Sequence, residues 1–598
     1  MQLAALEHVA RAPMAYPVAE DHLRVILKTA TGDVARALCF YGDRYGGPVW
    51  VPTEEDPSVE MKLLGSDGVS DYWGVTLQLT SKRFRYLFYV EGQDGDRCWF
   101  AENGVHRKRP KGYAFQYAYI HKNDSWQQPD WVGASVFYQI FPDRFYNGDL
   151  TNDPSPKMKW GDKPDRNSMA GGDLAGIEQK LDYVKGLGIG CIYTTPIFTS
   201  PTNHKYDTTD YYTIDPTFGT NEQFRSLVAK VHEYGMKFLL DAVFNHSGAA
   251  WAPFVDVIEK GQESEYKDWF YNLHEFPVSV EKINYETFAW NVASMPKLNT
   301  GNPGLKEHLL DVAAHWIKEY GIDGWRLDVA NEVDHHFWRD FRKTVKSAKG
   351  DAWILGEIWH NSFDWLQGDQ YDSVMNYPWR DATLNFLKGN LDPIEYDQEL
   401  TKIRYWYTAE AQRGLLNLLG SHDAARVRTE LGGSRTKAAQ AAVLLLTAES
   451  VPLIYYGDEI GMEGAGDPDC RRCYPWDEPE QQDAEMLSLY RKLIAIRNDR
   501  PWLNSGDWET IEAEVATGVY GYRRVPRKAE FRTEEPEAKD GLWVYINTSI
   551  HPVTVDLWAD CDLVDMLDGT LKAGQVTEGN KLFLPANGFA VLGPAGEK

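Results

Sequence analysis

Apolar and polar residues recur in one order along the middle of the chain: an amphipathic helix, a glycine, and then a short apolar run. This order appears in IEQKLDYVKGLGIGCIYTTPIF, FRSLVAKVHEYGMKFLLDAVF and LLDVAAHWIKEYGIDGWRLDV. In the third segment the apolar residues from Leu309 to Tyr320 keep the i, i+3, i+4, i+7 spacing of a helix, which Asn302 can begin and Gly321 can end. Apolar strands separated by helices indicate a parallel sheet that is buried on both faces.

Eight apolar runs of this kind follow residue 135. They are SVFYQIF, GCIYTTP, KFLLDAV, DGWRLDV, AWILGE, SVMNY, LLNLLGS and PLIYYG. Eight strands with mostly helical intervals predict an α/β fold, a closed (β/α)8 TIM barrel. About 80 residues separate the third run from the fourth, more than a loop and a helix require. The excess, about 247–300, predicts an excursion domain after strand 3, over the mouth of the barrel.

The flanks of the barrel have a different pattern, with alternating apolar and polar residues that are typical of β-sandwiches. Residues 1–121 contain HLRVILKT, YWGVTLQLT and FRYLFYVEG, and the polar HKNDSWQQPDW follows as a linker. We therefore predict an N-terminal β-sandwich over 1–121, the barrel with its excursion domain over 122–504, and a C-terminal β-sandwich over 505–598. Within the last domain, PRKAEFRTEEPEAKD predicts a solvated hairpin.

Composition and charge exclude several classes of function. The 598 residues carry a formal charge of −26, which would repel a nucleic-acid backbone. No apolar run is long enough to span a membrane, and the first residues, MQLAALEHVARAP, lack the pattern of a secretory signal. Six scattered cysteines suit a reducing compartment. We expect a cytoplasmic protein with no nucleic-acid or membrane partner.

Acidic residues stand at the ends of four predicted strands. Asp241 follows KFLL, Asp328 follows GWRL, Glu357 follows WILG, and Asp423 follows NLLGSH. The carboxyl ends of barrel strands meet at one rim, where the active site lies. A single carboxylate there could be a helix cap or a salt-bridge partner. Four carboxylates that converge repel one another, and this indicates a site that stabilises positive charge.

Glycoside hydrolysis requires such a site. Its transition state resembles an oxocarbenium ion, one carboxylate attacks or stabilises it, and a carboxylic acid protonates the leaving oxygen. Arg326 lies two positions before Asp328 at the end of the same predicted strand. Because a buried charge needs a partner, we expect this arginine to orient Asp328 and keep it ionised.

Several stretches of the chain resemble the alpha-amylase family of glycoside hydrolases. The four sequence regions of that family are matched in order by DAVFNH (241–246), GWRLDVANE (324–332), GEIWH (356–360) and LLGSHD (418–423). Two further features, MPKLN (295–299) and ANE (330–332), resemble the neopullulanase, cyclomaltodextrinase and maltogenic amylase subgroup. The β-rich N-terminal domain is similar to that of the subgroup as well.

The resemblance implies a role for each matched residue. Asp328 would be the nucleophile, Glu357 the general acid/base and Asp423 the transition-state stabiliser, while Asp241 and Asn245 would be structural. The implied substrate-binding residues are Arg326, His246, His422, Tyr206, His204, Asp467, Arg471, Phe288, Glu332 and Trp359. Of these, Tyr206 would stack under the reacting sugar, and the last three would line the acceptor side.

A second cluster of oxygen donors lies in NGDLTNDP and in the GGD that follows it. Carboxylate and amide oxygens are the ligands that calcium prefers, although an ordinary polar turn has the same residue types. The resemblance implies a structural Ca²⁺ and no organic cofactor. The expected metal ligands are Asn147, Asp149, Asn152, Asp153, Gly171 and Asp173.

The resemblance implies a retaining hydrolase with transglycosylation activity. The expected substrates are cyclodextrins, pullulan, maltooligosaccharides and starch, with α-1,4 bonds cleaved and α-1,6 bonds as a further candidate. It also implies a homodimer in which Tyr45, in the loop FYGDRYGGP, reaches the neighbour's acceptor subsites. The alternatives are an α-glucosidase or branching-type transferase of the same family, and a non-catalytic glucan-binding relative.

Overall fold

The computed structural model describes residues 1–46, 57–121, 124, 126–273, 275–527, 541–557, 559, 561–577 and 580–595. The predicted hairpin PRKAEFRTEEPEAKD lies almost wholly outside the described residues, as do the last two residues of FYGDRYGGP. Two compact units are present. One unit contains Met1–Gln127 and Leu391–Gln412, and the other contains Gln128–Asn390, Arg413–Arg527 and the described residues after 540.

The N-terminal unit contains two antiparallel sheets around a shared apolar core. One sheet has the strand order β1-β2-β6-β5, and the other has the order β4-β3-β7-β8-β9, with β10 paired to β7. Alternating residues of both sheets, such as Val25, Leu27, Phe88 and Val90, fill the core. The strands are β1 (Ala15–Ala19), β2 (His22–Ala30), β3 (Val34–Asp43), β4 (Ser58–Glu60), β5 (Lys62–Ser66), β6 (Ser70–Gln78), β7 (Phe84–Gly92), β8 (Arg97–Ala101), β9 (Gly104–His106) and β10 (Phe115–Gln116).

The second unit is built on a parallel sheet in which the eight predicted runs all appear as strands. Their order across the sheet is β18-β17-β16-β15-β12-β11-β20-β19. A parallel bridge between Met375 and Leu416 joins the two ends, so the sheet closes. The strands are β11 (Phe137–Ile140), β12 (Cys191–Thr194), β15 (Lys237–Ala242), β16 (Gly324–Leu327), β17 (Trp353–Gly356), β18 (Ser373–Val374), β19 (Leu416–Leu418) and β20 (Val451–Tyr455), with a separate hairpin of β13 (Phe198–Thr199) and β14 (Asp210–Ile214).

Helices lie in the intervals between these strands, and α7 shows why they form where they do. The Asn302 side chain accepts hydrogen bonds from the N–H groups of Gly304 and Leu305, Pro303 occupies the first turn, and Gly321 ends the helix with φ +76°. These are the start and stop that its sequence predicts. The helices are α1 (Asp130–Gly133), α2 (Pro142–Phe145), α3 (Leu174–Gln179), α4 (Leu181–Gly186), α5 (Asn221–Glu233), α6 (Ala252–Lys260), α7 (Pro303–Tyr320), α8 (His335–Ala348), α9 (Tyr377–Lys388), α10 (Pro393–Arg404), α11 (Ala409–Gly414), α12 (Val427–Glu430), α13 (Arg435–Thr447) and α14 (Ala484–Asn498).

The excursion after β15 contains α6 and a series of short turns before α7 begins. Two further antiparallel sheets follow α14, with the orders β21-β22-β23-β28-β25 and β24-β27-β26. Among the described residues, no helix combines the length and the apolar character that a membrane crossing needs. The strands are β21 (Asp507–Glu514), β22 (Val519–Val525), β23 (Leu542–Asn547), β24 (Val553–Asp556), β25 (Leu563–Asp565), β26 (Gln575–Thr577), β27 (Lys581–Leu584) and β28 (Phe589–Pro594).

The predicted α/β barrel with flanking β-domains is therefore confirmed. Mostly apolar strands form its wall because both of their faces are covered. Inward side chains such as Phe137, Leu239, Leu355 and Leu453 fill the interior below the rim. The carboxyl ends of the strands are left to carry polar groups.

Candidate active site

Arg326 is the centre of the site because its buried guanidinium contacts three carboxylates. Its Nη1 lies 2.9 Å from Asp328 Oδ1 and 3.0 Å from Asp241 Oδ2, and its Nη2 lies 2.9 Å from Glu357 Oε2. Asp241 on β15 is the register partner of Arg326 on β16, and Leu355 of β17 is its partner on the other side. The parallel register therefore brings the three acids to the same level around one cation.

Opposing influences act on the pKa of the Asp328 carboxyl. Burial raises the pKa of the Asp328 carboxyl well above its ordinary value, and the charge of Glu357 raises it further, whereas Arg326 lowers it. Arg326 therefore acts on Asp328 in the expected direction and contacts its carboxylate at 2.9 Å, but burial and Glu357 outweigh it because one cation is shared among three acids. Burial also raises the pKa of Asp241, to about 6.

Asp423 lies in the opposite electrostatic environment. Its Oδ2 is 2.9 Å from His422 Nε2, and its Oδ1 is 3.3 Å from Arg471 Nη2. Burial acts to raise the pKa of Asp423, but His422 and Arg471 together bring it well below its ordinary value. Arg471 Nη1 also pairs with Asp467 Oδ1 at 2.9 Å. The predicted residues Asp423, His422, Arg471 and Asp467 thus form one connected network.

Tyr206 links this network to the acids around Arg326. Its hydroxyl donates to Asp241 Oδ2 at 2.9 Å and lies 2.6 Å from His422 Nε2. Its ring stacks on His422 with centroids 5.3 Å apart and planes 7° apart, and His204 stacks beside it at 5.8 Å. The predicted pair His204 and Tyr206 is therefore brought to the acids, and one face of the Tyr206 ring is covered by His422.

The loop from the excursion reaches the same rim. The Phe288 ring stacks on His246 with centroids 4.9 Å apart. Burial lowers the pKa of His246 to about 3, so this imidazole is neutral near pH 7. Glu332 accepts from Lys297 Nζ at 3.3 Å through Oε2 and at 2.9 Å through its carbonyl oxygen. Lys297, from MPKLN, thereby holds the predicted Glu332.

The general-acid candidate is held from two directions. Trp359 Nε1 donates to Glu357 Oε1 at 3.0 Å, and the Val329 N–H donates to Glu357 Oε2 at 3.1 Å. Trp359 stacks on Tyr377 with centroids 3.6 Å apart. Val329 has φ +45° and ψ 44°, a conformation that a β-branched residue rarely adopts. Such strain is concentrated at functional sites, and here it directs an N–H at the Glu357 carboxylate.

Several residues of the site were not predicted. Lys297, Val329 and Tyr377 hold predicted residues, and Gln139 of β11 lies with Nε2 2.8 Å from His422 Nδ1. The motif MPKLN contains Lys297, and Val329 directly follows Asp328 in GWRLDVANE. Nothing in the sequence signalled Gln139, which lies 283 residues from His422.

The predicted metal ligands lie together in the loop after α2 and at the start of α3. The Asp173 carboxylate accepts from the N–H groups of Gly148, Asp149 and Gly176, and from Asn152 Nδ2. The Asp149 carboxylate accepts from Thr151. These two acids thus shape the loop. Across the described residues, no three side chains of His, Cys, Asp or Glu are arranged to hold a metal ion.

Tyr45 lies in the N-terminal unit, with its side chain 59% exposed. The guanidinium carbons of Arg44 and Arg83 lie 5.6 and 5.2 Å from the centroid of its ring. Tyr45 is thus a surface aromatic flanked by cations.

Comparisons with known proteins agree with this geometry. Residues 139–481 match the model of the alpha amylase catalytic domain, and residues 1–121 match that of the alpha amylase N-terminal ig-like domain. Neopullulanase 2 of Thermoactinomyces vulgaris is 47% identical over 528 residues, 88% of this chain and 89% of that protein. A cyclomaltodextrinase of Thermoanaerobacter pseudethanolicus is 46% identical over 514 residues, 85% of this chain and 88% of that protein.

A solved structure extends the agreement to nearly the whole chain. A cyclomaltodextrinase superposes with a TM-score of 0.90 at 38% identity, covering 99% of this chain and 100% of the other. The matched domains, the order of the strands and the carboxylates at their ends all point to the same conclusion. The chain belongs to the alpha-amylase family and is a glycoside hydrolase.

Proposed function

We propose that the chain is a retaining hydrolase of α-1,4-glucosidic bonds that acts on cyclodextrins, pullulan, maltooligosaccharides and starch. The observation that carries this proposal is the Arg326 guanidinium, which contacts both Asp328 and Glu357 at 2.9 Å. One planar cation that bridges two carboxylates favours the separation of about 5–5.5 Å found in retaining glycosidases over the wider spacing of inverting ones. Relatives named neopullulanase and cyclomaltodextrinase support the substrate class.

The residues divide the reaction into two displacements. Asp328 attacks the anomeric carbon while Glu357 gives its proton to the departing glycosidic oxygen, and a covalent glycosyl-enzyme forms. Glu357, now ionised, takes a proton from water, whose oxygen displaces Asp328 and restores both groups. A sugar hydroxyl in place of water gives transglycosylation. Asp423, which stays ionised, stabilises the positive charge that develops on the sugar ring.

The stereochemistry of the first product tests this mechanism. Proton NMR of maltooligosaccharide hydrolysis, recorded before mutarotation, is expected to show the α-anomer first. An initial β-anomer would show that water attacks directly and that Asp328 is not the nucleophile. Product analysis on β-cyclodextrin, pullulan and soluble starch in parallel would establish the range of substrates, including any cleavage of α-1,6 bonds.

We infer a structural Ca²⁺ in the loop after α2. The side-chain oxygens of Asn147 and Asn152 are buried without a hydrogen-bond partner among the described residues, and a cation would satisfy both. Gly171 has φ +84°, and a Cβ there would come within 2.6 Å of Asp153 Oδ1, so only glycine lets the backbone approach that carboxylate. Asn147, Asn152, Asp153 and the Gly171 carbonyl fit a hard cation, which would tie this loop to the start of α3.

We also propose a cytoplasmic homodimer. A relative of Bacillus subtilis, 40% identical over 532 residues, is named an intracellular maltogenic amylase. The exposed ring of Tyr45, flanked by Arg44 and Arg83, would reach the acceptor side of a second copy's active site. Narrowing that cleft would favour compact cyclic glucans over long starch chains.

A further inference from the structure

Trp290, in the excursion loop, is the most exposed large apolar side chain in the described parts of the chain. Its indole is 96% exposed, whereas Trp359, the next most exposed tryptophan among those residues, is 48% exposed. Tryptophan has a large apolar area that normally becomes buried against protein or ligand. An indole that is almost wholly exposed to solvent is therefore a candidate for contact with a ligand or another protein.

The backbone presents this indole in a fixed way. Ala289 has φ +50° and Trp290 has φ +74°, so two consecutive residues other than glycine adopt the left-handed conformation. Such a conformation is strained for a residue other than glycine and persists only where its surroundings enforce it. Hydrogen bonds close the loop, from Phe288 N to Met295 O at 2.9 Å and from Asn291 N to Ala289 O at 3.0 Å.

The loop is continuous with the catalytic rim. Phe288, two residues before Trp290, stacks on His246 and packs with Val292 against a cluster that contains Tyr206. Two residues span at most about 7 Å of extended backbone. The backbone of Trp290 therefore lies within that distance of Phe288, which contacts the rim residue His246.

We propose that Trp290 is a stacking platform for a glucose unit of the α-glucan chain outside the reacting position, and that it sets the preference for longer substrates. This proposal rests on the glucanase activity proposed above. The apolar C–H face of a pyranose ring covers a flat indole, while its hydroxyls stay hydrated at the edges. A rigid platform loses little conformational entropy when a ligand binds. Because the turn holds the indole in place, more of the contact free energy contributes to affinity.

A series of maltooligosaccharides tests the platform. Trp290→Ala is expected to raise the KM for maltoheptaose about fivefold to tenfold, with the KM for maltotriose and kcat for both unchanged, since only the longer chain reaches the indole. Trp290→Phe should recover most of the effect. Alanine and tryptophan disfavour the left-handed backbone conformation alike. The variant therefore changes the side chain alone.

Tyr113→Ala is the matched control, because Tyr113 is also exposed, at 65%, and also has a positive φ, of +66°. It should leave every KM unchanged. Equal KM values for wild type and Trp290→Ala, or the same increase for maltotriose and maltoheptaose, would overturn the platform. So would light scattering that shows Trp290→Ala to change the oligomeric state, which would assign the indole to a second copy of the chain.

Failure of the proposed function would look different. A wild-type protein that hydrolyses no α-glucan would refute the proposed activity, not the platform. Calorimetric titration of wild type and Trp290→Ala with maltoheptaose would then decide the platform separately. A Kd that is equal for the two proteins would overturn it, and a Kd about fivefold weaker in the variant would support it.

Discussion

At the scale of single residues, the site is governed by the sharing of one positive charge. Arg326 contacts Asp241, Asp328 and Glu357, and burial together with Glu357 raises the pKa of Asp328. The proposed nucleophile must be ionised, so the raised pKa of Asp328 predicts that activity is lost on the acidic side at a higher pH than an ordinary aspartate would give. The negative charge of Asp241 contributes to this shift.

Asp241→Asn is therefore expected to move the acidic limb of the kcat/KM profile to lower pH. The change removes a negative charge near Asp328, and Arg326 then pairs with two carboxylates instead of three. Asp328 should therefore stay ionised at lower pH. The profile would be measured on a maltooligosaccharide from about pH 4 to pH 8, a range that spans the ordinary and raised carboxyl values. Asp467→Asn is the control, since Asp467 pairs with Arg471. A limb that stays in place or moves to higher pH would contradict the argument.

Asp328→Asn and Glu357→Gln are each expected to lower kcat by more than about 100-fold, with an unchanged circular dichroism spectrum. Each substitution keeps the size of the side chain and removes either the attacking charge or the transferable proton. Glu332→Gln is the matched control, because this carboxylate pairs with Lys297 and should keep kcat within a few-fold. Substantial turnover by Asp328→Asn would remove it from the role of nucleophile.

The positions of some of these residues were predictable from sequence because they follow from strand ends. Asp328 and Glu357 stand directly after apolar runs, and parallel strands bring such positions to one rim. The approach of Gln139 to His422, across 283 residues, depends on closure of the barrel. The conformation of Val329 was unpredictable because valine disfavours it.

At the scale of elements, apolar runs predicted all eight strands, although some are very short. β18 has two residues and β19 has three. The caps of α7 were predictable, since Asn302 and Gly321 act locally. The secondary structure within the excursion was not predictable, because its short turns lack a regular period of apolar residues.

The loop after α2 is expected to lose stability when calcium is removed. Chelation with EDTA should lower the melting temperature by roughly 5–10 °C, since an ion that binds only the folded state stabilises it. Activity at low temperature should change little. Asn147→Ala should melt at the lower temperature with or without EDTA, and added Ca²⁺ should restore wild type alone. A wild-type melting temperature that is indifferent to EDTA and to Ca²⁺ would refute the metal site.

At the scale of the whole molecule, the N-terminal unit includes more than the N-terminal segment. Residues 391–412, which contain α10, belong to it. The rings of Tyr72 and Tyr405 stack with centroids 4.5 Å apart, and the Tyr16 hydroxyl accepts from the N–H of Ala409. A domain prediction that divides the chain into continuous segments cannot identify a unit built from separate segments. Deletion of 1–121 would remove the partners of these residues, so point substitutions test the unit more cleanly.

Tyr45→Ala is the substitution that tests whether the N-terminal unit shapes the substrate preference. Light scattering should give the wild type twice the mass of one chain, because the proposed partner contact places Tyr45 over a neighbour's cleft. Loss of the aromatic ring in Tyr45→Ala should widen that cleft. The ratio of kcat/KM on β-cyclodextrin to kcat/KM on starch should therefore fall severalfold. Tyr45→Phe should keep the wild-type ratio. Tyr119→Ala, which removes another exposed tyrosine, should leave the ratio unchanged. A monomeric wild type, or an unaltered ratio in a dimeric Tyr45→Ala variant, would show that the domain of one chain does not complete the active site of another.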